Sequence, residues 1–208
     1  MVCCNKYKDY TAGDWDRVLF SDETQVKQFS PHLVRIRRPP GQRYNSRYTT
    51  PEVKCSPSLM VWGCISSEGL GGLWFMPPGT TINAAVYLQL LKSKLREWLT
   101  IRRCRTFQHD GAPCHQAKLV QNWLAAEGVE VLGPWPGSSP DLNPIESCWA
   151  LVKERVSRRN PTSAADLKQQ LLQVWTEEIT PEYCQKLCRF MPNRIQAVLA
   201  AKGGHTKY

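Results

Sequence analysis

Arg105-Thr106-Phe107-Gln108-His109-Asp110, a turn, a helical run from about His115 to Glu127, and then Val129-Glu130-Val131-Leu132 set the architecture of this chain. The first segment reads as a strand that ends in a carboxylate. In the helical run Ala117, Val120, Trp123 and Leu124 fall inward on one face, and Gly128 is a natural stop. The last segment is a second strand. Two strands joined through a helix run parallel, because a hairpin turn cannot connect them. Upstream, Asn83 caps a helix to about Leu99 whose apolar stripe is Tyr87, Leu91, Leu95 and Trp98. Val18-Leu19-Phe20-Ser21-Asp22-Glu23, Leu33-Val34-Arg35-Ile36-Arg37, Leu59 to Ile65 and Gly72 to Met76 read as strands, with Gly69, Gly71 and Gly72 marking the turn before the last. Turns join these early strands, so they should be antiparallel. Residues 38–58 read as a long basic loop. Downstream, Asn143-Pro144-Ile145-Glu146 has the composition of a helix start, followed by a stripe of Ile145, Trp149, Val152 and Val156. Further helices are expected over 164–178, 181–190 and 194–202. The pattern is α/β: a mixed sheet of about five strands flanked by helices, with a C-terminal helical extension.

Asp110 ends one strand and Asp22 lies near the end of another. In open α/β sheets ligands gather at the carboxyl ends of strands. Glu146, at a helix start, can face the same edge. Crowded carboxylates repel one another, and a bound cation relieves them. Magnesium takes a few carboxylates together with water and phosphate oxygens. Two such ions about 3.5–4 Å apart activate an attacking oxygen and stabilise a leaving one. Read singly, each residue has a plainer role. Glu146 suits a capping box, Asp22 is half of a surface Asp22-Glu23 pair, and Asp110 suits the cap of the following turn. Spacing alone leaves both readings open.

Lys and Arg number 27 against 18 Asp and Glu, a net charge of +9 with a pI near 9.2, which favours a polyanionic partner and nucleic acid first. Arg35, Arg37, Arg38, Arg43 and Arg47 form one cationic run, and Lys153, Arg155, Arg158 and Arg159 another. A solvated face is the ordinary role of either; beside a nuclease site, phosphate contact is the alternative. Tyr44 and Tyr48 are aromatic residues of the kind that stack on bases. The nine cysteines include no C-x-x-C pair, which argues against a zinc ribbon and for reduced, buried thiols in an intracellular protein. No secretory h-region opens the chain and no apolar run reaches membrane-spanning length, so a soluble protein with no membrane partner is expected.

Four ordered blocks carry a family resemblance: Val18 to Glu23; Met60-Val61-Trp62-Gly63; Gln108-His109-Asp110-Gly111-Ala112-Pro113-Cys114-His115; and Trp135-Pro136-Gly137 through Trp149, with Ser139-Pro140-Asp141-Leu142-Asn143-Pro144 at its centre. Together they resemble the catalytic domain of the Tc-one/mariner superfamily of cut-and-paste DNA transposases. The resemblance implies a ribonuclease H-like fold. It assigns the catalytic and metal-holding roles to Asp22, Asp110 and Glu146, with two magnesium (or manganese) ions. The implied chemistry is hydrolysis of a phosphodiester at each transposon end, then attack of the freed 3′-hydroxyl on target DNA at TA dinucleotides, with no covalent protein–DNA intermediate. DNA is the implied partner, a homodimer the implied assembly and the nucleus the implied location. His115 recurs in the family's block. It is read as hydrogen-bonding support or, with Arg35, Arg37, Arg38, Arg43, Arg47, Lys153 and Arg155, as part of the DNA-binding set. His109 should point away from the site, since neighbours on a strand face opposite ways.

Two departures stand out. Between Asp110 and Glu146 lie 35 residues, one more than is usual for the Tc-one type, and the addition is read as Gly133, in a loop where an extra residue is tolerated. The family's upstream helix-turn-helix region is expected to be absent. The expected division is a residual linker over 1–17, a ribonuclease H-like catalytic domain over 18–159 and a helical extension over 160–208. A catalytically inactive, transposon-derived DNA-binding or interaction module is the alternative to an active enzyme.

Overall fold

The computed structural model describes residues 1–28, 37–42, 45–48, 57–136, 139–204 and 206. Its centre is one sheet of β1 (Val18–Lys27), β2 (Ser58–Ser66), β3 (Gly69–Phe75), β4 (Thr106–Gln108) and β5 (Glu130–Val131). The spatial order is β3-β2-β1-β4-β5. The first three strands pair antiparallel, β2 and β3 through a tight turn at Ser67 and Glu68, whereas β4 runs parallel to both β1 and β5, the latter reached by a helical crossover. The expected strand over residues 33–37 falls, apart from Arg37, outside the described residues. β5 is shorter than the apolar run that announces it, because only Glu130 and Val131 find ladder partners, in Thr106 and Phe107.

Strand alternation divides the core. Val18, Phe20, Val26, Val61 and Ile65 face one side of the sheet and meet Trp149, Val152 and Trp175. Leu19, Trp62, Cys64 and Phe107 face the other and meet Tyr87, Leu91, Leu95, Val120 and Leu124. The second layer is α3 (Ala84–Ile101), α4 (Pro113–Gln116) and α5 (Lys118–Ala126). Asn83 caps α3 as expected, its Oδ1 accepting the N–H groups of Ala85 and Val86 at 3.0 Å. The single helix expected over 115–127 is two, because Ala117 is extended (ψ 135°) and the chain starts afresh at Lys118. The break leaves the apolar period intact, so the sequence gives no sign of it. Gly128, at φ +65°, ends α5 in the left-handed conformation that glycine adopts at least cost.

The first layer holds α6 (Ile145–Arg159), α7 (Ala164–Gln173), a π turn at Val174–Glu178, α8 (Pro181–Arg189) and α9 (Met191–Ala200). It also holds residues expected to be a linker. Val2–Tyr7 and Ala12–Trp15 are short helices, α1 and α2, and Cys3, Cys4, Tyr7 and Trp15 are buried in the same core as Trp149. Aromatic contacts fix them: Tyr7 lies edge-on to Tyr10 and Trp15, and Trp15 stacks on Phe20. A polar segment with few apolar residues looks like a linker in sequence, but aromatic rings bury much area per residue. The C-terminal helices share this core, so the fold has no seam at residue 17 or 159. Among the described residues all eight cysteines are free thiols, and no helix is long and apolar enough to cross a membrane.

Candidate active site

Phe20 pairs with Gln108 across the parallel β1–β4 ladder. Asp22 and Asp110 each follow two residues later, so the register brings both to one edge of the sheet. β1 continues past Asp22, whose partner on β2 is Gly63. A side chain on residue 63 would sit 2.7 Å from the Trp149 ring, so only glycine lets α6 lie this close beside Asp22. Glu146, in the first turn of α6, thereby reaches the same place. Asp22, Asp110 and Glu146 line one cleft of about 270 Å³, together with Trp135, Pro136, Ser139, Pro140 and Asn143.

Ser21 is the junction of the three carboxylate-bearing elements. Its hydroxyl donates to the Gln108 carbonyl at 3.0 Å, tying β1 to β4. Its own carbonyl accepts from Asn143 Nδ2 at 3.2 Å, tying β1 to the start of α6. Asn143 Oδ1 also takes the Ile145 N–H at 3.4 Å. No side-chain bond from Glu146 completes a capping box, so the plainer role considered for that residue is not the one it fills. Asp110 Oδ1 accepts the Ala112 N–H at 2.9 Å, as a turn cap does, and it also lines the cleft.

The electrostatics are those of concentrated negative charge. Burial, then the nearby Glu146, Glu23 and Asp110 carboxylates, push the Asp22 carboxyl up to about 8. Burial also raises Glu146, opposed by Lys153 one face along α6. Burial would raise Asp110 too, but hydrogen bonds from His115 and Ala112 outweigh it and hold that carboxyl below its ordinary value. His115 Nδ1 lies 2.6 Å from Asp110 Oδ1 and its Nε2 lies 3.3 Å from Glu23 Oε1. Burial disfavours a charged imidazole, yet these two carboxylates lift His115 to about 10. His109, by contrast, is pushed down to about 3 by burial and the neighbouring His115, and its Nδ1 is hydrogen-bonded with Tyr87 Oη at 3.0 Å. It faces α3, away from the cleft.

Three oxygen-donor side chains in one cleft suit a hard divalent cation. Among the described residues no group of three His, Cys, Asp or Glu stands ready-formed around a cation position; Asp110 is turned onto His115. A larger cavity of about 490 Å³, at the amino end of β1, is lined by Asp16, Glu68 and Glu182 but also by Arg17, Arg103 and Arg189. Its charges balance, and Arg189 is already paired with Asp16 at 2.9 Å.

Of the cations expected to meet DNA, Arg37, Arg38 and Arg47 are exposed, and Arg35 and Arg43 lie outside the described residues. Lys153 is half-buried on α6. Arg155 is held by Glu178 at 3.4 Å, and Glu178 also takes Arg159 at 2.6 Å. His115, at 2% exposure, is no surface contact; it supports Asp110. Sequence reasoning missed Ser21 and Glu23. Strand alternation could have placed Glu23 on the His115 side, but nothing local marks Ser21.

The DDE superfamily endonuclease family matches residues 17–168. The Tcb1 transposase of Caenorhabditis briggsae is 36% identical over 199 residues, covering 94% of this chain and 71% of that protein. The Tc1 transposase of Caenorhabditis elegans is 34% identical over the same shares. The crystal structure of the catalytic domain of Mos1 mariner transposase shares this fold, with a TM-score of 0.71 at 22% identity over 99% of this chain and 91% of that one. In the mariner Mos1 paired end complex with Mg the TM-score is 0.81 at 23% identity, and this chain spans 60% of the transposase chain. A family match over most of the chain, joined to relatives at 34–36% identity, shows that this chain belongs to the DDE superfamily of endonucleases, among the Tc1/mariner transposases.

Proposed function

We propose that this chain is a transposase catalytic domain that hydrolyses phosphodiesters at transposon ends and joins the freed 3′-hydroxyl to target DNA, with magnesium or manganese as cofactor. The observation that carries this is the meeting of Asp22, Asp110 and Glu146, from three separate elements, in one cleft. These carboxylates would hold two ions, whose charge activates an attacking oxygen and stabilises a leaving one. The donor set fits: all three are carboxylates, and the Asp22 carboxyl, raised by burial and then by the Glu146, Glu23 and Asp110 carboxylates, is one that a cation relieves.

The chain's own residues have distinct parts. Asp22 must release its carboxyl proton before it can act as a ligand, so acid weakens the site. Asp110 stays ionised because His115 and the Ala112 N–H hold it. Asn143 fixes the start of α6 to β1, which keeps Glu146 in place as DNA enters. The net charge of +9 attracts DNA. Lys153, Arg37, Arg38 and Arg47 are the cations assigned to phosphates, and Arg35 and Arg43 extend the same basic run. A TA target, a homodimeric working state and a nuclear location complete the reading. Support comes from Mos1, whose structures include a paired-end complex with the left transposon end and complexes with Mg and Mn.

The test is nicking of supercoiled plasmid in magnesium or manganese by the wild-type chain, Asp110→Asn and Glu146→Gln. Nicking by the wild type and its loss in both variants is the expected result. If none of the three nicks while all fold and bind DNA, the chain is a DNA-binding or interaction module that keeps the fold.

A further inference from the structure

The alternation that sends Asp22 toward α6 sends its neighbour Glu23 through the opposite face of the sheet, toward α4. There the Glu23 side chain is 15% exposed and its Oε1 lies 3.3 Å from His115 Nε2. Neither Glu23 Oε1 nor His115 Nε2 has an aligned hydrogen bond, so the two buried atoms answer each other as a close charge pair, and burying either without the other would be costly. On its other side the same ring places Nδ1 2.6 Å from Asp110 Oδ1. The ring has little room to swing. Tyr87 lies 4.1 Å from it, centroid to centroid, and His109 stacks on it at 5.0 Å with the planes 6° apart.

We propose that Glu23 is a positioning residue for Asp110, acting through His115. The proposal rests on the reading of Asp110 as an ion-holding carboxylate. An aspartate can turn either oxygen, or neither, toward a cleft. His115 and the Ala112 N–H both engage Oδ1, which leaves Oδ2 for the cleft. A carboxylate against Nε2 anchors the far side of the imidazole, so Nδ1 stays aimed at Asp110. Glu23 and Asp22 thus serve the site from opposite faces of one strand: Asp22 lines the cleft, and Glu23 sets the geometry of the carboxylate beside it. Groups that orient a metal-holding side chain in this way typically contribute about 10–100-fold in metal affinity or activity.

The readout is the imidazole N–H proton of His115 in metal-free protein, followed by NMR, together with plasmid nicking and DNA affinity. The sheltered Nε2–H that faces Glu23 should give a slowly exchanging downfield resonance, identified by its loss in His115→Ala and told from the Nδ1–H that faces Asp110 by its correlations to the ring carbons. It should persist in Glu23→Gln, which keeps an acceptor oxygen, and vanish in Glu23→Ala. Nicking should fall about 10–100-fold in Glu23→Ala with DNA affinity unchanged, and Glu23→Gln should recover most of the rate. Adding Glu23→Ala to His115→Ala should cost nothing further, because the two act in series. A resonance unaffected by Glu23→Ala overturns the proposal, as do rate losses that multiply. Should Glu23→Ala not fold, loss of the resonance in folded Glu23→Gln overturns it. If the wild type does not nick but the resonance responds as stated, the proposed function fails and the positioning contact stands.

Discussion

At the residue, the site trades stability for charge. Asp22 carries a carboxyl raised from 3.8 to about 8. A folded-state pKa above the unfolded one means that the folded chain binds more protons in that window. The stability from Asp22 is then fully present below about pH 4 and lost as the pH rises through about 8. Asp22→Asn cannot ionise, so its advantage over the wild type should be absent near pH 4 and largest at pH 8. Calorimetry in chelator should show a gain at pH 8 of at least about 3 °C in Tm, the equivalent of roughly 1 kcal/mol for a chain of this length. His115, raised to about 10, loses stability over a higher window, and this cancels in the comparison because both proteins keep it. Manganese should stabilise the wild type and not the variant. A variant no more stable than the wild type at pH 8 would show that Asp22 is not strained. The set Asp22, Asp110 and Glu146 was marked in the chain by the family resemblance, since a strand end and a helix start by themselves left plainer roles open. The strain on Asp22 could not, since it arises from burial in the folded chain and, besides the adjacent Glu23, from Glu146 and Asp110, which are distant in sequence.

Among the elements, the close approach of Trp149 on α6 to Gly63 on β2 is one of the contacts that place Glu146, beside the Asn143 bond to β1. The Gly63 position lies opposite Asp22, and a methyl group there meets Trp149 at 2.7 Å and Leu73 at 3.1 Å. Gly63→Ala should therefore overpack the core, costing about 1–3 kcal/mol. It should also lower nicking more than tenfold at a temperature where the chain stays folded, because misplacing a reacting group by about 1 Å costs about 100-fold. Trp149→Phe in the same chain should restore part of both losses, which a double-mutant cycle of melting and nicking measures. Equal stability and rate in Gly63→Ala and wild type would mean that α6 is free to shift. The sequence named both residues, Gly63 in a strand and Trp149 on a helix stripe, yet neither pattern says that they touch. The added Gly133 is likewise visible in sequence, whereas its anchoring is not: its carbonyl accepts the Tyr7 hydroxyl at 2.7 Å and the Lys6 ammonium.

Across the whole molecule, the C-terminal helices brace the cleft. Arg194 of α9, 4% exposed, donates to the Asp141 carbonyl at 3.0 Å and the Ser147 hydroxyl at 2.8 Å, on either side of Glu146's helix start. Thr206 closes on Asp141 Oδ2 through its N–H at 3.0 Å and its hydroxyl at 2.6 Å. Trp175 stacks on Trp149 at 4.9 Å and donates to the Gly71 carbonyl at 3.0 Å. A chain ending at Arg159 should therefore lack a cooperative melting transition by circular dichroism, since it uncovers a face of α6 and the sheet. A cooperative transition in that fragment would make residues 160–208 a true extension. The strands β1–β5, the helices α3 and α5–α9 and the mixed sheet were available from the amino-acid order, because periodicity, caps and turn residues act over a few positions. The union of α1, α2 and α7–α9 with the sheet in one core, the Ser21 junction, the Glu23–His115–Asp110 chain and the raised carboxyl of Asp22 came from the folded chain alone. Each depends on residues brought together from distant positions by the sheet register, and no local pattern encodes that distance.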